Sequence, residues 1–521
     1  MMLRLPTCST SQRTRRVVDR QARRFTPWSL PRSRGCVQHD AVRIFSAVVL
    51  LLCTSAYAQK PDRSKPPELG PTPSLKLPAI QHLKLSNGLP VVLMEKHQVP
   101  LVQFSLLVKA GTAMEPADQR GLASITAAMM EEGAGSRNSL EFADAVDFLG
   151  ANISVGAGLH TTTVSLFTPI SKLDSALALF ADVVLRPMFP AEELERNRLE
   201  RLTTLLQWHD EPRTIASTLF NKTLFGMNHP YGPSTMGDER TLRDFKIPVL
   251  KQFYTAYFLP NNATLIVVGD VTPALLMPKL EALLGGWKGR SIPVSSAWPA
   301  VNQVESRKIY LVDKPGAAQS AIRIGRIGVA RTTEDYFPII VMNTILGGSF
   351  TSRLNNNLRE VHGYAYGASS RFNFLPQPGA FVAASDVQTD VTDKALTEFM
   401  KELTNISAIS DVEFTRATNY VALSYPSDFQ SVGSIAGKLA DLVIYNLPDD
   451  YFNNYTQKIL AVTKDDVVRV AKKYIDPAKV AIVIVGDRKK IEKGISDLKL
   501  GPIENLSIDD VLGKQPVIEK K

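Results

Sequence analysis

The sequence predicts an α+β protein built from two homologous α/β-sandwich halves, a duplicated domain with mostly antiparallel sheets covered by helices. Three observations carry this expectation. Tyr257 to Asp270 (YFLPNNATLIVVGD) has a counterpart in Tyr474 to Asp487 (YIDPAKVAIVIVGD), with proline and glycine nine residues apart in both copies and an offset of 217. Lys172-Leu-Asp-Ser-Ala176-Leu177 and Val391-Thr-Asp-Lys-Ala395-Leu396 repeat at an offset of 219, each opening an amphipathic helix. Periods this long mark a duplicated domain rather than a solenoid. Within each half, hairpin-type strands alternate irregularly with helices, which suits an α+β layer.

Taken in order, residues 1–58 predict a targeting segment. Ile44 to Cys53 (IFSAVVLLLC) is an apolar run followed by Ala56-Tyr57-Ala58, the pattern of a secretory signal peptide with cleavage after Ala58. The Arg-rich beginning is also compatible with a mitochondrial transit peptide, so periplasmic or secreted is the expectation and mitochondrial the alternative. Residues 59–78 carry six prolines and form a spacer. The first half runs from 79 to 287, with strands expected at Val91–Met94, Val102–Val108, Thr161–Leu166 and Leu265–Val268. Its helices are expected at Gly121–Glu132, Leu140–Leu149 (Asn138 or Ser139 as N-cap), Lys172–Val184 and Ala191–Leu206. A linker, 288–303, leads to the second half, 304–500, and a polar tail, 501–521.

Composition narrows the function classes. The formal charge is +9, but ten arginines sit in the first 58 residues, and residues 59–521 balance fifty basic against forty-nine acidic side chains. A nucleic-acid partner is therefore not indicated. All three cysteines (Cys8, Cys36, Cys53) precede the mature chain, which excludes disulfides, thiolate metal sites and a cysteine nucleophile from its body. No stretch of the mature chain approaches the ~20 apolar residues of a membrane-spanning helix.

The segment Gly121-Leu-Ala-Ser124-Ile-Thr-Ala127-Ala128-Met129 resembles the start of the insulinase (pitrilysin-type) zinc peptidases, which have G-L-A-H-x-x-E-H-M there. The likeness extends over nearly the whole mature chain. It includes Ser86–Leu93 (SNGLPVVL), Asp313-Lys-Pro-Gly316 and both Gly-Asp turns. In the H-x-x-E-H motif, two His four apart on one helix face reach a single zinc, and the Glu activates bound water. The matching positions here are Ser124, Ala127 and Ala128, and the position of the family's third ligand, a Glu on a second helix, falls on Thr204. Alanine cannot ligate, and lone hydroxyls are poor zinc ligands. No metal or cofactor is therefore expected in this chain, and no catalytic residue is assigned. Glu131-Glu132 and His209-Asp210 are the nearest substitutes, and they are expected to be a solvated helix end and a surface or capping His.

The second half keeps more. Leu346-Gly-Gly-Ser-Phe-Thr-Ser-Arg-Leu354, Leu358-Arg359-Glu360 and Gly363-Tyr-Ala-Tyr366 resemble the family's L-G-G-x-x-x-S-R-L…L-R-E…G-x-A-Y signature. The resemblance implies that Arg359 and Tyr366 hold substrate, since a guanidinium fork and a phenol suit substrate carbonyls and a tetrahedral oxyanion. It also implies a clam-shell of paired halves, and a zinc-free subunit whose homologous partner brings the zinc to an extended peptide. The chain alone is expected to be inactive. The alternative is a non-enzymatic scaffold that keeps the fold for assembly, like the core proteins of the respiratory cytochrome complex.

Overall fold

Twelve strands pair into two six-stranded sheets in a computed structural model that describes residue 70 and residues 75–293 and 298–518. Residues 1–58, expected as a targeting segment, and most of the spacer lie outside the described residues. The first sheet contains β1 (Gln81–Lys84), β2 (Pro90–Glu95), β3 (Leu101–Val108), β4 (Asn152–Ala157), β5 (Thr162–Pro169) and β6 (Ala263–Gly269), in the order β1-β2-β6-β3-β5-β4. The second contains β7 (Lys308–Asp313), β8 (Gln319–Ile327), β9 (Ala365–Phe374), β10 (Pro378–Gln388), β11 (Ala481–Gly486) and β12 (Ile503–Leu506), in the order β12-β7-β11-β8-β10-β9.

The duplication is visible strand by strand. β2 runs parallel to β6, as β7 does to β11, and the three pairings that follow in each sheet are antiparallel. The outermost strand breaks the symmetry. β1 lies antiparallel on β2, whereas β12 lies parallel on β7. β12 comes from the segment 501–521, expected as a polar tail. Ile503-Glu-Asn-Leu506 is too polar to announce a strand, and it is recruited by the free edge of β7.

Sequence explains the central strands. Ala263–Gly269 and Ala481–Gly486 are apolar runs without alternation, and every residue in both is buried. A strand of this kind needs cover on both sheet faces. One face is covered by helices of its own half. The other is covered by a helix from the opposite half. The helix Pro212–Phe225 belongs to the first half in sequence but packs Ile215, Leu219 and Phe220 against Val312, Ala321, Val382 and Val483 of the second sheet. The helix Val432–Tyr445 returns the arrangement, setting Ile435, Ala436 and Leu439 against Val92, Leu107, Ile266 and Val268 of the first.

Local signals fix where these two helices begin and end. Pro212 opens the first within its initial turn, and Gly226 follows its end at φ +74°. Ser431 caps the second by accepting the Ser434 N–H at 3.0 Å, and Asn446 ends it in the left-handed region. The close approach depends on Gly325 of β8. A Cβ there would lie 1.9 Å from the Phe381 carbonyl oxygen and 2.8 Å from Cζ of Phe220. Polar ties flank the contact: Arg213 pairs with Asp386 of β10, and Lys314 Nζ donates to Asp210 Oδ1 at 2.7 Å.

Phe220→Ala is expected to lower the unfolding free energy by about 3–5 kcal/mol, as for other buried phenylalanines. The check is urea unfolding with hydrogen exchange, in which β8 and β11 amides should lose protection although residue 220 lies in the first half. A loss under about 1 kcal/mol, ordinary for a surface site, would mean that the exchanged helix is not anchored there.

Candidate functional site

The helix Leu122–Met129 carries the first set of positions. Its entry is Gly121 at φ +96°, where a Cβ would meet the Met236 carbonyl oxygen at 2.3 Å, so only glycine fits. The open amides at this N-terminus are answered by Glu115. Its carboxyl accepts from Gly121 N at 3.0 Å and from Ala123 N at 2.7 Å. Glu115 is buried, and desolvation pushes its pKa up to about 8, against the opposing pull of those amides, Arg120 and Arg201.

Ser124, Ala127 and Ala128 follow on this helix, and Thr204 stands on the neighbouring helix Ala191–Trp208. The hydroxyl of Thr204 is spent on its own helix, donating to the Glu200 carbonyl at 2.9 Å. Ala127 is buried. What joins the two helices is Arg201, whose Nη1 donates to Ser124 Oγ and Nη2 to the Ser124 carbonyl oxygen, each at 3.0 Å. A positive charge thus bridges the helix pair through a guanidinium. Desolvation lowers the Arg201 pKa, and Glu115 and Glu200 oppose that shift. Two hydroxyls and two methyl groups do not fit zinc. Among the described residues, no group of three or more His, Cys, Asp or Glu side chains is placed to hold a metal ion.

The substitutes expected from sequence have other work. Glu131 and Glu132 are not a solvated helix end. The helix stops at Met129, and the two carboxylates turn inward: Glu131 accepts the Val155 N–H of β4, while Glu132 accepts from Ser139 Oγ at 2.8 Å and Asn197 Nδ2 at 2.9 Å. The next helix, Ser139–Phe148, is capped by Asn138 in a reciprocal box with Glu141. His209 is not at the surface. It is only 3% exposed, behind the end of the Arg201 helix.

Arg359 and Tyr366 are brought together in the second half. The chain passes from Arg353–Asn355 into a wide π-helical turn, Asn356–Val361, a form of helix frequent at functional sites. β9 follows as the edge strand of its sheet. Three steps of β9, Ala365 to Ala368, span what two steps of β10 span, Val387 to Ser385, so a bulge falls at Tyr366-Gly367. A bulge re-aims the side chain it carries, and Tyr366 is 86% exposed. The Arg359 guanidinium lies 5.0 Å from the Tyr366 ring and 4.7 Å from the Phe350 ring, with Nε 3.2 Å from Glu360 Oε1.

Arg353 of the same signature is occupied differently. It forks onto Glu413 at 2.6 and 2.9 Å and donates to the carbonyls of Asn405 and Ala408, so its role is structural. Two partners of the site escaped the sequence reading. Phe350, in a Gly-Gly-Ser-Phe turn, could have been noticed as an aromatic that nothing local would bury. Arg201 had no signal beyond sharing a helix with Thr204.

Two family models match the chain. One, described as insulinase (peptidase family M16), matches residues 90–239, and the other, described as peptidase M16 inactive domain, matches residues 244–421. A Helicobacter pylori protein described as a non-peptidase homolog is 21% identical over 433 residues, 81% of this chain and 98% of its own length. A Bacillus subtilis protein described as an uncharacterized zinc protease is 24% identical over 291 residues, 56% of this chain and 69% of its own. The crystal structure of a peptidase M16 inactive domain from Pseudomonas fluorescens has a TM-score of 0.73 at 24% identity, over 78% of this chain and 98% of that one. That likeness shows the shared fold.

The state of Glu115 makes stability pH-dependent. Its pKa is raised by folding from the model-peptide value of 4.5 to about 8, so the folded chain holds its proton more tightly. Its contribution is fully present below pH 4.5 and is lost as pH rises towards 8. Glu115→Gln should flatten that part of the profile of unfolding free energy against pH. An unchanged slope would show that Glu115 is ionised throughout.

Proposed function

The chain belongs to the insulinase (M16) peptidase family, and on that premise we propose that it is the zinc-free subunit of a heterodimeric peptidase, inactive by itself. In this reading it contributes Arg359 and Tyr366 to the cleavage of an extended peptide held by a zinc-bearing homologous subunit. One observation carries the reading. The metal side of the fold is closed by Arg201 on Ser124, while the donor side is exposed, with Arg359 set between two aromatic rings and Tyr366 turned outward.

The chemistry follows from the donors. The zinc of the partner would polarise the scissile carbonyl and activate water. Arg359 offers N–H groups left over from its single contact with Glu360, and Tyr366 offers one O–H, both suited to the oxyanion that develops at the cleaved bond. Phe350 and Tyr366 flank the guanidinium, which limits its freedom before substrate arrives. The apolar run ahead of Ala58 supports export, so the pair would act in the periplasm or outside the cell, with a mitochondrial compartment as the alternative.

A second reading, a scaffold without catalytic work, is favoured by the Helicobacter pylori relative described as a non-peptidase homolog. Kinetics of the reconstituted pair separate the two. Loss of one well-placed oxyanion donor costs on the order of 10²–10³ in turnover. Arg359→Ala or Tyr366→Phe should slow cleavage by a comparable factor, with association and melting near wild type. If both variants pair and cleave at the wild-type rate, the scaffold reading replaces the shared site.

A further inference from the structure

A cavity of about 530 Å³ lies away from Arg359 and Tyr366, and its polar groups have no part in the function proposed above. Its walls are the end of the helix Ala191–Trp208, the middle of the helix Pro212–Phe225, and the loop leading into the helix Glu239–Asp244. Its remaining wall is the C-terminal stretch from Asp509 to Pro516. That stretch is tied across by two cations. Lys222 Nζ donates to the Val511 carbonyl at 2.5 Å, and Arg243 Nη2 donates to the Val517 carbonyl at 2.7 Å.

Three groups give the cavity its character. His209 lines it, is 97% buried, and its ring nitrogens have no hydrogen-bond partner among the described residues. Lys222 uses one of its three N–H groups on Val511, leaving two. Arg120, also buried, makes only long bonds of 3.3–3.4 Å to the carbonyls of Thr112, Glu115 and Asn228.

The carboxylates around the rim are mostly engaged. Asp238 accepts Thr241 N at 2.8 Å, Glu239 accepts from Arg243 at 2.7 and 2.9 Å, and Asp510 accepts from Ser507 at 2.7 and 2.8 Å. Asp509 has no such bond among the described residues, and the lining as a whole sets four carboxylates against Arg120, Lys222, Arg240 and Lys514. What is left over is donor capacity on Lys222, His209 and Arg120, which calls for an acceptor group. Beside these groups stand Leu205, Trp208, Met227 and Leu512, an apolar wall that a bare inorganic ion would leave wet. The volume is within the ~300–1,000 Å³ range of small-molecule sites.

We propose that this cavity binds a small carboxylate with an apolar body, the carboxylate taken by Lys222 and His209 and the apolar part laid against Trp208 and Leu205. Burial lowers the His209 pKa against the opposing pull of Asp509 and Asp210, and the neutral ring offers one N–H. The same chemistry is presented by a medium-chain fatty acid and by the free C-terminus of an apolar peptide, including a cleavage product.

The test titrates the full mature chain with octanoate and with N-acetyl-Leu-Leu, following binding heat, with tryptophan fluorescence as a second signal. The neutral counterparts 1-octanol and N-acetyl-Leu-Leu-amide serve as controls. The expected result is saturable binding of at least one acid, about tenfold or more tighter than its neutral counterpart, as a charge-assisted hydrogen bond warrants. Whichever acid binds more tightly identifies the source. Lys222→Met should weaken that acid about tenfold. Thr218→Trp, which puts an indole into the cavity from the middle of the helix Pro212–Phe225, should abolish binding, and it decides the matter should Lys222→Met loosen the C-terminal stretch. Failure of both acids to bind, equal binding of acid and neutral forms, or wild-type affinity in Thr218→Trp would overturn the proposal.

Discussion

Each sheet has an apolar central strand on which both faces must be kept from water, and in each the second face is covered from the opposite half. The two halves solve this by exchange: Pro212–Phe225 crosses to the second sheet and Val432–Tyr445 to the first. Burial at about 25 cal/mol per Å² of apolar surface makes such a contact far stronger than surface ion pairs like Lys314–Asp210. The halves are therefore not independent domains on a linker. Their cores are joined through two helices that each belong to one half in sequence and to the other in packing.

This constraint also places the candidate sites. The helix Ala191–Trp208, carrying Arg201 and Thr204, is joined to the first exchanged helix through only three residues. The helix Asp411–Ser424 precedes the second exchanged helix by seven, and from it Glu413 holds Arg353 and with it the start of the π-helical turn that carries Arg359. Positions of side chains in one half thus depend on packing in the other. A metal ion is not needed to hold the first pair of helices together. Two charge-assisted hydrogen bonds from Arg201 to Ser124, each worth about 1.5–3 kcal/mol when desolvated, bridge the same helices.

Much of the fold was legible in the sequence because it rests on local signals. The Gly-Asp turns, the unalternating Leu265–Val268 run and the capping residue Asn138 each announce their element through side chains nearby. The exchange was not legible, since periodicity names the apolar face of a helix but not the surface that receives it. β12 was hidden because an edge strand paired on one side tolerates polar residues, as in Ile503-Glu-Asn-Leu506. Ser124, Ala127, Ala128 and Thr204 could be named from the chain, and so could Arg359 and Tyr366. The role of Arg201 could not, because a lone arginine on a charged helix is most often solvated. The burial of His209 was equally silent: it follows from the C-terminal stretch folding back some three hundred residues later in the chain.

The two halves have diverged in opposite directions from one architecture. In the first, polar groups that would face outward are consumed internally: Arg201 on Ser124, Thr204 on its own helix, and Glu131 on the outward N–H of Val155 in the edge strand β4. An edge strand whose free donor is already taken is a poor template for another chain. In the second, the matching edge strand β9 carries a bulge that turns Tyr366 into solvent, and Phe350 and Val361 beside it are 61% and 65% exposed. Exposed aromatic and aliphatic surface of this kind is costly to leave uncovered and marks a contact site. The degenerate zinc positions of the first half are thus tied up internally, while the second half keeps the exposed surface on which the proposed recognition of substrate would take place.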